Sequence, residues 1–215
     1  MGRESQAPTW GFVVPIDRVR KPPEPHAFRP SRAYSDGMAC YTLFETAIGW
    51  AGLVWGDRGL VGVHLPEREA SAVRHGLSRR FPEAAEAQAP EQLRSVLEGI
   101  RALLRGEKAD LGEAVLDIDR VPAFNARVYE IARAIPPGET MTYGEVAVRL
   151  GDKLLARDVG AALGQNPWPI VVPCHRVTAA GGKLGGFSAR GGAQTKLKLL
   201  TIEGAPAAGQ ADLFG

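Results

Sequence analysis

Cysteine is nearly absent from this chain: Cys40 and Cys174 are the only two in 215 residues. Two cysteines cannot build a disulfide framework. With only four histidines beside them they are too few for a thiolate-rich zinc site, and no metal is expected. Long apolar runs are missing as well; nothing approaches the roughly 20 residues that a membrane-spanning helix needs. No basic start leads into an apolar segment, so no secretory signal is read. What is left is an ordinary soluble composition, 45% hydrophobic and 23% charged, at a length that allows one or two domains. A reducing cytoplasm suits a free thiol, and a cytoplasmic protein is expected.

Charge is unevenly spread behind a net +2. Residues 121–203 hold ten Lys/Arg against six Asp/Glu, and residues 38–120 hold ten against thirteen. A phosphate-facing surface needs local positive charge of this kind, although a solvated basic face has the same composition. Residues 1–37 are rich in Pro, Arg and small polar residues and read as a disordered arm. Met38, just before the first strand-like run, offers an alternative start of translation.

Short strands are expected over 41–48, 51–56 and 59–65, with turns at Gly49-Trp50 and Asp57-Arg58-Gly59. Helices are expected over 66–80 and 90–104, the second with Leu93, Leu97, Ile100 and Leu104 on one face. A further strand is read at 115–118. Residues 38–120 thus form an α/β scaffold, a small sheet plus helices, that carries no evident chemistry. From residue 121 the pattern turns helical. Pro122 opens a helix along which Phe124, Val128, Ile131 and Ile135 recur at helical spacing. Thr142 with Glu145 three residues on is a capping box for a helix ending near Gly151, and residues 154–163 form the next. Two short helices joined by a tight turn make a helix-turn-helix, whose second helix meets DNA. A last helical run covers 194–202. The fold expected is an α/β N-terminal domain over 38–120, then a mainly α, winged-helix-like helix-turn-helix domain over 121–203, then a flexible tail over 204–215.

Chemistry concentrates in Pro169-Ile170-Val171-Val172-Pro173-Cys174-His175-Arg176-Val177. A cysteine is a strong nucleophile as thiolate, and a histidine in the same turn can take or relay its proton. For an isolated Cys-His pair a buried Cys beside a chance His is the commoner case. Here Thr142-Tyr143-Gly144-Glu145, Ala156-Arg157-Asp158-Val159-Gly160 and Asn166-Pro167 precede the pair, and Gly185-Gly186-Phe187-Ser188 and Glu203 follow it. Together these resemble the O6-alkylguanine-DNA alkyltransferases, densely over 124–203 and loosely over 41–119.

The resemblance implies a set of roles. Cys174 is the alkyl acceptor, and the protein is consumed in one turnover without a cofactor. Glu203 orients His175, which acts on the thiol through a water; a carboxylate favours the imidazolium, and the imidazolium favours the thiolate. Arg157 on the second helix enters the duplex and fills the gap left by the flipped base. Tyr143 lies by that base and donates its hydroxyl proton. Asn166 ties the recognition helix to the active-site turn at the DNA-binding face. Pro169, Val177, Phe187 and Ser188 line the pocket, with the Val177 carbonyl toward the exocyclic amine of guanine. The partner implied is double-stranded DNA containing O6-alkylguanine, met by a monomer, with nucleoid association when bound. Two departures stand out: Asp158 where the family more often has a small residue, and Phe187 where tyrosine is common.

Two other readings compete. An alkyltransferase-like protein would bind DNA without transfer, but such proteins lack the nucleophile that Cys174 supplies. A Cys-His hydrolase would need an oxyanion hole and a recyclable acyl-enzyme and leaves Arg157 unexplained. Finally, Gln210, Leu213 and Phe214 in the last six residues resemble the short sliding-clamp-binding peptides of bacterial repair proteins; a frayed tail with two apolar residues accounts for them equally well.

Overall fold

The computed structural model describes residues 38–205. The arm over 1–37 and the clamp-like tail with Gln210, Leu213 and Phe214 lie outside the described residues.

The chain opens with three antiparallel strands, β1 (Cys40–Thr46), β2 (Gly49–Gly56) and β3 (Gly59–Glu67). Helix α1 (Ala70–Arg80) follows, and β4 (Ala85–Glu86) then pairs parallel to β1, giving the order β3-β2-β1-β4. The first hairpin turns at Ala47-Ile48, two residues before the expected Gly49-Trp50. Gly49 opens β2 instead, at φ +129, where a Cβ would meet the Glu67 carbonyl oxygen at 2.4 Å. It is glycine because β3 passes so close, not because it turns. The expected helix start at Pro66 is also corrected: β3 runs to Glu67 and α1 begins at Ala70. Pro66 lies near the end of β3, in the register shift between the Gly52–His64 and Trp50–Glu67 pairs, where a missing N–H costs little. The strand expected at 115–118 reduces to a single parallel bridge between Leu60 and Leu116.

Helix α2 (Arg94–Leu104), entered through a 3₁₀ turn at Glu91–Leu93, buries Leu93, Ile100 and Leu104 as their spacing requires. Helix α3 (Ala123–Arg133) follows Pro122 and buries Val128; Ile135 is buried just past its end. Strand β5 (Met141–Thr142) leads into α4 (Tyr143–Arg149), a 3₁₀ turn at Lys153–Leu155 leads into α5 (Ala156–Gly164), and α6 (Gly192–Ile202) closes the described chain. Strand β6 (Val177–Thr178) pairs parallel to β5, Met141 with Val177 and Thr142 with Thr178.

One buried apolar cluster runs through both halves, from Phe44, Leu53 and Leu60 to Val128, Val146, Trp168 and Cys174. Polar stitches reinforce it. Trp168 Nε1 donates to the Leu60 carbonyl (2.8 Å), and Val63 N–H donates to the Pro167 carbonyl (2.9 Å). Arg133 Nη2 donates to the carbonyls of Leu111, Gly112 and Ala114. Among the described residues no helix is long and apolar enough to cross a membrane, and no group of three or more His, Cys, Asp or Glu could hold a metal ion.

Candidate active site

The segment between α5 and β6 is a sequence of tight turns. Val172 N–H donates to the Trp168 carbonyl (2.7 Å), so the apolar run doubles back instead of extending. Ile170 sits at φ +76, a left-handed conformation that a β-branched residue adopts at a cost of about 1–2 kcal/mol. Asn166 holds the turn from outside: Nδ2 donates to the Val172 carbonyl (2.8 Å), and Oδ1 accepts from Trp168 N–H (2.9 Å). Both ends of this amide are spent on backbone within the turn, six and two residues further along the chain.

Cys174–Arg176 then form one 3₁₀ turn. Cys174 is 7% exposed and His175 1%. Behind them His175 Nε2 lies 3.0 Å from Glu203 Oε1. Arg176 grips the same carboxylate twice, Nε to Oε2 at 2.9 Å and Nη2 to Oε1 at 2.7 Å, and donates from Nη1 to the Ile135 carbonyl. Glu203 comes from the C-cap of α6, 29 residues after the cysteine in sequence.

The electrostatics follow from burial. Desolvation alone would raise the Glu203 carboxyl, but hydrogen bonds from His175 and Arg176 prevail and hold it at about 2. Glu203 is therefore an anion that accepts, and His175 Nε2 must carry the proton. Burial lowers His175 and outweighs the Glu203 carboxylate, which acts the other way. The expected imidazolium is thus corrected: at neutral pH His175 is a neutral ring, and the charge that balances Glu203 belongs to Arg176. In this tautomer Nδ1 is a bare acceptor, buried and without a hydrogen-bond partner among the described residues. Burial likewise raises the Cys174 thiol, against the opposing pull of Asn166 and Lys196. The resting pair is thiol and neutral imidazole.

Lys196 is the site residue that sequence reading missed. It has no exposed surface, and its Nζ donates to the carbonyls of Val177 (2.6 Å) and Gly186 (3.3 Å) and lies 3.4 Å from Tyr143 Oη. Burial brings its ammonium down to about 8, partly offset by Cys174. A signal was present: Lys196, Leu199, Leu200 and Glu203 fall at i, i+3, i+4 and i+7, so this lysine occupies an inward position of α6.

The β5–β6 pair sets Tyr143 beside this cluster, because the residue before it is bonded in register with Thr178. The capping box fixes the helix start: Glu145 N–H donates to Thr142 Oγ1, and Thr142 N–H donates to the Glu145 carboxylate. Tyr143 Oη donates to the Gly186 carbonyl (3.2 Å), and Gly185 packs so near that a Cβ would lie 2.8 Å from the tyrosine ring. Val177 is buried, Phe187 is half-buried against the main cluster, and Pro169 is half-buried in the turn. Ser188 Oγ donates to the Gly164 carbonyl at the end of α5 (2.8 Å), tying the loop to that helix. Arg157 stands apart from all of these, exposed in the first turn of α5 and free of hydrogen bonds and ion pairs among the described residues.

Comparison with known proteins places this geometry. Residues 123–205 match the family model described as 6-O-methylguanine DNA methyltransferase, DNA binding domain. The methylated-DNA–protein-cysteine methyltransferase of Methanothermobacter thermautotrophicus is 35% identical over 159 residues, 74% of this chain and 82% of that protein. A DNA base-flipping protein of Thermus thermophilus is 41% identical over 125 residues, 58% of this chain and 82% of its own. The structure of Mycobacterium tuberculosis OGT in complex with DNA superposes with a TM-score of 0.58 at 32% identity, covering 78% of this chain and 96% of that one.

Proposed function

This chain belongs to the methylated-DNA–protein-cysteine methyltransferase family, and we propose that it repairs DNA by moving an alkyl group from O6-alkylguanine irreversibly onto its own Cys174. It is a DNA-binding alkyl-transfer enzyme of DNA repair. The observation that carries the assignment of Cys174 is the buried row behind it: a thiol, a neutral imidazole with a bare Nδ1, and a carboxylate fixed by Arg176.

The damaged nucleotide leaves the stack, at a cost of a few kcal/mol, and Arg157 takes its place. A guanidinium is suited to this because it is planar, stacks and hydrogen-bonds at its edge. The thiol proton passes through a water to His175 Nδ1. Sulfur then attacks the alkyl carbon in line: the S–C bond forms, the O6–C bond breaks, and the electron pair stays on the purine. That anion leaves well only if it is protonated or strongly hydrogen-bonded. Tyr143 supplies the proton. Burial raises the Tyr143 hydroxyl, and the Cys174 charge adds to this, so it is a reluctant acid on its own. The Lys196 ammonium, 3.4 Å away, stabilises the phenolate that results. The Val177 carbonyl, already accepting from Lys196, has a second lone pair for the guanine amine. The product is a thioether that none of these groups can cleave.

Intact-mass measurement after mixing with duplex DNA containing O6-methylguanine tests the reading. Wild type should gain one methyl group, mapped to Cys174, and Cys174→Ala should gain none while still binding DNA. Methylation at the buried Cys40 instead, or no gain at all, overturns it. We further propose that the protein acts as a monomer and that its last residues dock on a sliding clamp through Gln210, Leu213 and Phe214. Clamp binding that is lost in the Leu213→Ala, Phe214→Ala double variant supports the docking; absent or unchanged binding refutes it.

A further inference from the structure

We propose that Asp158 accepts a hydrogen bond from an exocyclic amino group of a base pair flanking the flipped nucleotide, so that repair is fastest in particular sequence contexts. The inference rests on the reading of α5 as the helix that meets DNA.

Helix α5 has two sides. Val159, Ala162 and Leu163 are buried in the core, while Arg157, Asp158, Ala161, Gly164 and Gln165 face outward. Beyond the first turn that outward side is mostly small, so the backbone can approach a groove closely, and only its first turn carries charged reach. In a helix-turn-helix these N-terminal residues of the second helix are the ones that meet base edges.

Asp158 has no structural partner to explain it. Its carboxylate is exposed and, among the described residues, makes no hydrogen bond or ion pair. Arg157 does not hold it; consecutive helical side chains point about 100° apart and do not face each other. An acid in the first turn does interact favourably with the helix dipole, but that effect is the same whatever DNA is bound. Toward phosphates the carboxylate is repelled. Ionised, it can only accept, and the donors on base edges are amino groups: guanine N2 in the minor groove, cytosine N4 and adenine N6 in the major groove. Opposite any other edge it meets acceptors and is penalised. A carboxylate on this face therefore discriminates between neighbouring base pairs.

The test is repair rate on duplexes that differ only in the pairs flanking O6-methylguanine, for wild type and Asp158→Ala. Each duplex rate is divided by the same variant's rate with free O6-benzylguanine, and melting confirms folding. Wild type should favour some flanks about tenfold, and Asp158→Ala should flatten the series. Replacing flanking guanine by inosine, which lacks the N2 amine, identifies the donor. Loss of preference assigns guanine N2, and retention assigns cytosine N4 or adenine N6. Equal wild-type rates on all flanks, or one common factor gained by Asp158→Ala on every duplex, would overturn the inference, the second outcome marking simple phosphate repulsion. No reaction of wild type with either the free base or any duplex would instead sink the proposed function, and the inference with it.

Discussion

A lysine with no exposed surface, bonded to two carbonyls within reach of Tyr143, makes the chemistry depend on pH in an unusual direction. Its ammonium persists below about 8. If pH acted only by titrating the thiol, the rate would climb as pH rises. With Lys196 required as a cation, the rate with free O6-benzylguanine should instead fall as pH climbs through about 8. Lys196→Met should lower it at least tenfold, about 1.4 kcal/mol, in protein that melts normally; a rate that keeps rising to pH 9.5 would remove Lys196 from the mechanism. The role proposed for Arg157 belongs to a different step. Arg157→Ala should reduce the ratio of duplex to free-base rates by about ten- to hundredfold, because only the duplex requires extrusion; an unchanged ratio assigns Arg157 to the pocket or the fold. Cys174, His175 and Glu203 were legible only through the family resemblance of the stretches around them, since a Cys-His pair and an acid 29 residues on carry no such meaning by themselves. Lys196 was not, since a lysine near a helix centre reads as solvated unless it is noticed that it shares a face with Leu199 and Leu200.

Elements were legible where a period or a cap had room to repeat. The capping box at Thr142 and Glu145, the α2 face and the α4–α5 pair stand as their spacing requires. Strands β5 and β6 were not read, because two residues each carry no period, yet their pairing is what sets Tyr143 against the Cys174 turn. The hairpin at Ala47-Ile48 is not legible because a glycine at position 49 reads as a turn residue, while its actual constraint is the Glu67 carbonyl of a strand, 18 residues away. A prediction belongs here. Thr142→Ala removes the cap from a seven-residue helix and should cost about 1 kcal/mol of stability, read by denaturant unfolding. The same change should slow alkyl transfer, since Tyr143 is the first residue of that helix. Full activity in a destabilised variant would show that the β5–β6 pairing alone positions the tyrosine.

Across the whole molecule, the shared core and its polar stitches should make the α/β half and the helical half unfold together. Trp168→Phe keeps most of the buried ring but leaves the Leu60 carbonyl without its donor, and should cost about 1–3 kcal/mol in a single transition. Acid should loosen the molecule in two steps. His175, lowered by burial, forgoes a proton that the unfolded chain takes up below about 6.5, so stability begins to fall there. Glu203, about 2 in the folded state against an ordinary 4.5, adds stability that is whole above 4.5 and is lost as pH falls toward 2. The second contribution is on the order of 3 kcal/mol, and Glu203→Gln should flatten the urea midpoint over that range. The burial of Cys174 has a further consequence at the level of the cell's inventory. A protein used once is a stored reagent, and its shelf life depends on what else can consume it. Oxidants and stray electrophiles attack exposed thiolates; this sulfur is covered and protonated until a base arrives. Peroxide at doses that inactivate low-pKa cysteine enzymes should leave its repair capacity nearly intact, so that each molecule stays unspent until it meets a lesion.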